Sequence, residues 1–174
     1  LGDVYKRQIR MSLYDTNLDK NNANYVPLTP LTFLKRAKEI YPNYEALIYE
    51  DRKFTWDQVY KRTVKFASAL NKIGVGKGDT VSFLAFNTPE IFEGHYSVPM
   101  TGAVLNTINI RLDAKTIAYI LDHSEAKVLV VDRQLHVEVK KALTTLKKKI
   151  TIIDINDKFA DQSKCEKIGD LEYE

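Results

Sequence analysis

Three polar clusters follow apolar runs in this chain: Asn87-Thr88 after VSFLAF, Asn106 to Arg111 after AVL, and Asp132-Arg133 after VLVV. In an open parallel α/β sheet a ligand binds outside the carboxyl ends of the strands. These are therefore the places where amide, carboxylate and guanidinium groups could meet one. Ordinary turn chemistry accounts for the same residues, with Asn87 and Asp132 as turn formers and Arg111 as a surface ion-pair partner. Glycines at 74, 76 and 78 invite a phosphate-loop reading, but a dinucleotide fingerprint needs glycine at 79, where Asp79 stands. A phosphate cradle also runs from strand to helix, whereas the order here is helix, glycines, strand. His95, on a half-apolar helix face, suits a satisfied core position. His123 ends a helix, where its charge complements the dipole, and His136 lies on a polar helix.

The elements that must position these groups are legible from periodicity. Runs rich in Val, Ile, Leu and Phe at Thr80–Phe86, Ala103–Ile108, Lys127–Val131 and Ile150–Ile155 alternate with segments of helical spacing. Such alternation means βαβ units and a parallel sheet, and the near-continuous apolar runs suit strands covered on both faces. Thr29-Pro30 opens a first helix that Pro42 stops. Glu45–Tyr49 and Lys53–Phe54 flank a polar turn and predict a small hairpin. Thr55-Trp56-Asp57-Gln58 is a capping box, opening a helix with the stripe Trp56, Val59, Tyr60, Thr63, Phe66, Ala67, Leu70 and Ile73, closed by Gly74. Trp56 and the tyrosines at helical spacing are expected in the core. Asn87, Thr88, Pro89 and Glu90 predict a helix start with a cap and a first-turn acid. Asp113 caps the helix that ends at His123, and Gln134–Leu146 is a further amphipathic helix. The polar tail from 157 fades, and Gly169–Glu174 resembles a helix cut off at its beginning.

The 174 residues carry 26 basic and 23 acidic side chains, a formal net charge of +3, too balanced to indicate a nucleic-acid binder. Lys140, Lys141, Lys147, Lys148 and Lys149 read as a solvated face on a helix ending before Ile150. Cys165 is the one cysteine, so no internal disulfide forms, and metal-ligand clusters are absent from the sequence. Apolar runs fall short of the 18 or so residues a membrane span needs. The expectation is a soluble cytoplasmic protein. Leu1–Arg10 precede Met11, a suitable initiator, and read as a non-native leader, with 11–26 a flexible segment.

The wording NTPEIFEGHYSVPMTGAVLNTINIRLDAKTIAYILDHSEAKVLVVD resembles the N-terminal domain of the AMP-forming acyl-CoA synthetases. Upstream, TPLTFLKRAKEIYP, FTWDQVYKRTVKFASAL and GVGKGDTV extend the resemblance over roughly Tyr25 to Ile155. Within that superfamily VPMTGAVLNTINIRLDAKTIAYIL is most similar to the medium-chain fatty acyl-CoA and 3-methylmercaptopropionyl-CoA ligases. The resemblance implies a truncated AMP-binding synthetase domain over 27–156: a partial α/β domain, a mostly parallel sheet with helices on both faces and a small N-terminal hairpin. It implies a ligase that joins a fatty or short- to medium-chain acid to coenzyme A, using ATP with Mg and passing through an acyl-adenylate.

The phosphate loop, ribose-binding Asp, hinge and catalytic lysine of that family do not occur in these residues, so the chain alone is expected to be inactive and to hold no cofactor tightly. The resemblance assigns one role here. Asn109-Ile110-Arg111-Leu112 matches an Asn-x-Arg-Leu motif whose arginine approaches the phosphates of coenzyme A, which makes Arg111 and Asn109 the candidate cofactor-binding residues. Ile110 stands where many relatives have proline, implying a less rigid loop. The expected partners are the small-molecule acid, ATP and coenzyme A, without nucleic acid or membrane span, and the full-length form can be a homodimer. A self-standing binding or regulatory module is the rival reading, for instance a receiver domain phosphorylated at Asp132. A receiver needs an acidic pair after its first strand, where Asn87-Thr88 stand. A short protein that binds coenzyme A without chemistry is a third reading.

Overall fold

The computed structural model describes residues 19–174. The expected leader, the initiator Met11 and the first half of the segment 11–26 lie outside the described residues. Pro30–Ile40 forms α1, Glu45–Tyr49 and Arg52–Thr55 form the antiparallel hairpin β1–β2, and Trp56–Lys72 forms α2. The capping box closes as expected. The Thr55 hydroxyl accepts the Gln58 amide at 3.3 Å, and the Gln58 side chain accepts the Thr55 amide at 2.8 Å, satisfying two donors that the first helical turn leaves free. Gly74, at φ +84°, ends the helix in a conformation costly to other residues.

The remaining strands are β3 (Thr80–Leu84), β4 (Val104–Thr107), β5 (Ala126–Asp132), β6 (Thr151–Ile155) and β7 (Leu171–Glu172). They form one parallel sheet in the order β4-β3-β5-β6-β7. The crossovers are α3 (Pro89–Met100), α4 (Ala114–His123) and α5 (His136–Leu143). Successive residues of the central strands point to opposite faces. Val81, Phe83, Val128 and Val130 join Phe66 and Leu70 of α2 and Val98 of α3 in one core. Leu84, Leu129 and Val131 join Ile117 and Leu121 of α4 and Val139 and Ala142 of α5 in the other. Both faces are thus covered, as the near-continuous apolar strands require.

Several expectations are corrected. Residues 169–174 do not begin a helix, because they supply β7. The fully buried Asp154 accepts the Ile168 amide at 3.0 Å and the Gly169 amide at 2.7 Å, and the Tyr173 amide donates to the Asp154 carbonyl at 2.9 Å. The Tyr173 ring then packs on Phe66, with centroids 4.2 Å apart. Gly169 is required where it stands: a Cβ there would lie 2.8 Å from the Ile152 carbonyl carbon. Helix α5 ends at Leu143, so Lys147, Lys148 and Lys149 belong to the following loop rather than a helix face. Ile73 is 38% exposed at the end of α2, and Tyr119 is 65% exposed on α4. Trp56 is half-buried. Ile73 and Tyr119 carry helical spacing but lie outside the buried arc.

Thr88 precedes α3 without capping it, whereas Glu90 is the expected first-turn acid, and it is buried. His95 is not in the core. It is exposed, its Nδ1 bonded to the Ile91 carbonyl at 2.8 Å. His123 stacks on Tyr119 with the rings 8° from parallel.

Candidate functional site at the carboxyl ends of the strands

Neighbouring strands β3 and β5 send their chains to opposite faces, β3 into α3 and β5 into α5. A crevice outside the carboxyl ends of such a pair is where open α/β sheets bind ligands. Its floor here is acidic and buried. Asp132, fully buried at the end of β5, accepts the Gln134 amide at 2.9 Å, while its Oδ2 has no partner among the described residues. Burial pushes the Asp132 carboxyl above its ordinary range, against the hydrogen bonds from Gln134 and with the Asp157 and Glu90 charges adding to the rise. Thr88 Oγ1 and Glu90 Oε2 are buried and unpartnered too. The other Glu90 oxygen accepts from Arg52 at 2.8 Å. Tyr49, at the tip of the hairpin, donates to Asp157 at 2.6 Å; burial and then that carboxylate raise its phenol pKa. A cleft of about 300 Å³ between hairpin and α3, lined by Ile48, Tyr49, Thr88 and Phe92 among others, adjoins this floor.

The cations nearest this floor are already engaged. Arg52 pairs with Glu90, Arg62 with Glu93 at 2.5 Å, and Arg133 with Glu172 at 2.8 Å. Tyr173 completes the second pair by donating to Glu93 at 2.9 Å. Burial pushes the Glu93 carboxyl up, opposed first by Arg62. The crevice therefore offers acceptors and apolar walls rather than an unpaired cation, although Arg133 Nε is itself buried without a hydrogen-bond partner. No group of His, Cys, Asp and Glu among the described residues converges as a metal site. The residues present do not by themselves fit a magnesium–triphosphate group.

Positive charge free of such pairing stands at the end of edge strand β4. The Ile108 amide donates to the Phe83 carbonyl at 2.8 Å, holding the chain against the sheet one residue beyond β4. The Asn109 side chain then accepts the Arg111 amide at 2.9 Å, and Asp113 accepts the Thr116 amide at 2.8 Å as the cap of α4. This turn leaves the Arg111 side chain exposed, without an ion pair to another described residue. Ile110 and Leu112, on either side of it, pack against the α4–α5 core. Half-burial of these two side chains anchors the loop that was expected to be less rigid with Ile110 in place. A guanidinium so placed can take a phosphate through charge-assisted hydrogen bonds.

The three sequence clusters thus separate into different roles. Asn109 and Arg111 shape an exposed loop, Asp132 lies in the crevice, and Asn87 is exposed beside it. Asn106 faces elsewhere: it lies within β4 and donates to Ser82 at 2.9 Å and Ser124 at 3.3 Å. Asp132 is also too buried to be the accessible aspartate of a receiver domain. Sequence reasoning missed Tyr49, Glu90 and Asp157, since Tyr49 and Asp157 lie 108 residues apart with no local pattern linking them. Lys148 and Lys149 line a larger cleft of about 840 Å³ at the opposite, amino ends of β5 and β6, where Lys127 pairs with Asp79 at 3.0 Å.

Residues 34–172 match the family described as AMP-binding enzyme. Over 154 residues the chain is 49% identical to a peroxisomal trans-cinnamate:CoA ligase of Petunia hybrida, covering 88% of this chain and 27% of that protein. It is 53% identical over 127 residues to a peroxisomal butyrate–CoA ligase of Arabidopsis thaliana, covering 73% and 22%. The crystal structure of an anthranilate CoA ligase in complex with anthranoyl-AMP superposes with a TM-score of 0.72 at 25% identity, over 78% of this chain and 27% of that one. The chain thus spans about a quarter of the length of the curated relatives it matches.

Proposed function

The chain belongs to the family of AMP-binding enzymes, and from that premise we propose that it is the N-terminal part of an ATP-dependent, AMP-forming carboxylic acid–CoA ligase. The observation that carries this reading is the 49% identity to a CoA ligase across 88% of the chain. In the proposed reaction the acid's carboxylate attacks the α-phosphorus of ATP, releasing pyrophosphate. The thiol of coenzyme A then attacks the acyl carbon of the adenylate, AMP leaves, and the thioester forms.

The contribution assigned to this segment is twofold. Arg111, held outward by Asn109, binds a phosphate of coenzyme A, and the sheet supports the acyl and nucleotide sites made with residues beyond these 174. We place the substrate among small carboxylic acids. The relatives are named for cinnamate and butyrate, and the motif wording favours short- to medium-chain acids, 3-methylmercaptopropionate included. Cytoplasmic residence is proposed from the sequence, while two relatives carry "peroxisomal" in their names; imaging a fluorescent fusion decides between them.

The test is made in the ligase that carries this segment, assayed for pyrophosphate release with butyrate, cinnamate, benzoate, octanoate and 3-methylmercaptopropionate. Arg111→Ala is expected to raise the KM for coenzyme A on the order of tenfold or more, the loss of a charge-assisted contact. ATP–pyrophosphate exchange, which needs no coenzyme A, stays near the parent rate. Absence of acid-dependent pyrophosphate release with every acid overturns the ligase reading. Equal losses in both half-reactions make Arg111 a structural residue.

A further inference from the structure

The Arg111 loop is followed at once by the amino end of α4, and the first amide of that helix does not rely on its own cap. The Ala114 amide donates to Glu138 Oε2 on α5 at 3.1 Å, while Asp113 takes the Thr116 amide. The other Glu138 oxygen accepts from Lys141, one turn along α5, at 2.6 Å. That bond is the first cause, and the Ala114 amide a smaller one, of a Glu138 pKa held below its ordinary value. The facing charges are thus Lys141 from α5 and Asp113 from the end of the loop, the latter opposing the shift. Ile110 of the loop and Leu135, just before α5, pack on the same core, and with Val137 and Glu138 they line a gap of about 100 Å³.

We propose that Glu138 is a positioning residue for the coenzyme A step, acting through the Ala114 amide on the loop that presents Arg111. This rests on the ligase reading above. The loop is bounded on its β4 side by the Ile108–Phe83 bond and on its α4 side by the Glu138–Ala114 bond. Between them Ile110 and Leu112 fix its underside, and Asn109, Arg111 and Asp113 are exposed, Arg111 being the one cation among them. Removing the α5 acceptor takes away one anchor at the α4 end of this span and leaves only the bonds that Asp113 makes with Thr116 and Ile117. The guanidinium is then spread over more positions, and its encounter with a phosphate weakens without any change to Arg111 itself.

The test compares Glu138→Ala and Glu138→Gln in the same ligase. Glutamine keeps a carbonyl oxygen for the Ala114 amide and loses the charge paired with Lys141, so it separates positioning from charge. Glu138→Ala is expected to raise the KM for coenzyme A by roughly three- to tenfold, moderated by the partial exposure of the site. It leaves ATP–pyrophosphate exchange unchanged, and Glu138→Gln restores the parent KM. Amide exchange of residues 109–116, faster in Glu138→Ala than in Glu138→Gln, reads the loop independently of turnover and serves also where the alanine variant is poorly folded, through the glutamine–parent comparison. An unchanged KM and unchanged exchange in Glu138→Ala, or a glutamine variant as impaired as alanine, overturns the proposal. A parent enzyme without acid-dependent pyrophosphate release instead overturns the ligase reading, and the exchange comparison then stands alone on the loop.

Discussion

Replacing Asp154 by alanine tests how a polar tail becomes a strand. Asp154 is fully buried on β6, and its two oxygens accept the amides of Ile168 and Gly169 at 3.0 and 2.7 Å. Alanine leaves both donors, on half-buried residues, without an acceptor. Each such orphan costs about 1–3 kcal/mol, so the variant should lose about 3 kcal/mol or more. For a domain of this size that corresponds to a Tm roughly 6–12 °C lower. Loss should be local before it is global: amide exchange at Ile168, Gly169 and Tyr173 rises at denaturant concentrations where β3 and β5 stay protected. Asp154→Asn keeps one acceptor but turns an NH2 group toward the second amide, so it should fall between alanine and the parent. Urea unfolding followed by circular dichroism, with exchange read by mass spectrometry, gives both quantities. A midpoint for Asp154→Ala equivalent to a loss under about 1 kcal/mol, or unchanged exchange at 168–173, would refute the claim that this carboxylate recruits β7.

Gly94→Ala should destabilise by about 1–3 kcal/mol, because a Cβ there would meet Phe83 Cζ at 2.6 Å and Phe83 is fully buried. Combining it with Phe83→Leu should be less harmful than the sum of the two single changes, and simple additivity in urea melts would contradict the clash. Asp132→Asn should gain on the parent as pH rises. The folded pKa of Asp132 lies above the ordinary 3.8, so its burial penalty is absent while both states are protonated and grows as pH climbs through and beyond that value. Urea midpoints of the two proteins at pH 4 and pH 7 should diverge at the higher pH, and a constant difference removes Asp132 from the pH response.

The short-range devices of this chain were legible in its residues. The Thr55–Gln58 capping box, the Asp113 cap, the left-handed Gly74 and the apolar runs of β3 and β5 each operate within a turn of helix or along one strand, so the types and spacing in the sequence suffice to specify them. From these followed the hairpin, the alternation of strand and helix, and the parallel sheet with both faces covered. The loop carrying Asn109 and Arg111 was legible as well, through the wording of its motif. Tertiary structure decided what depends on partners far along the chain. Residues 169–174 carry too little apolar pattern to be read as a strand, and supply one at Leu171–Glu172 because a buried carboxylate on β6 and the Phe66 ring accept their neighbours. His95 and Tyr119 had the spacing of core residues, but only the packing of α3 and α4 fixed which arc of each helix faces inward. Tyr49, Glu90, Asp132 and Asp157 come together because the hairpin meets the carboxyl ends of the strands, and Glu138 meets the Arg111 loop because α4 and α5 pack side by side. Local preference extends over a few residues, whereas these meetings are set by the order of strands in the sheet.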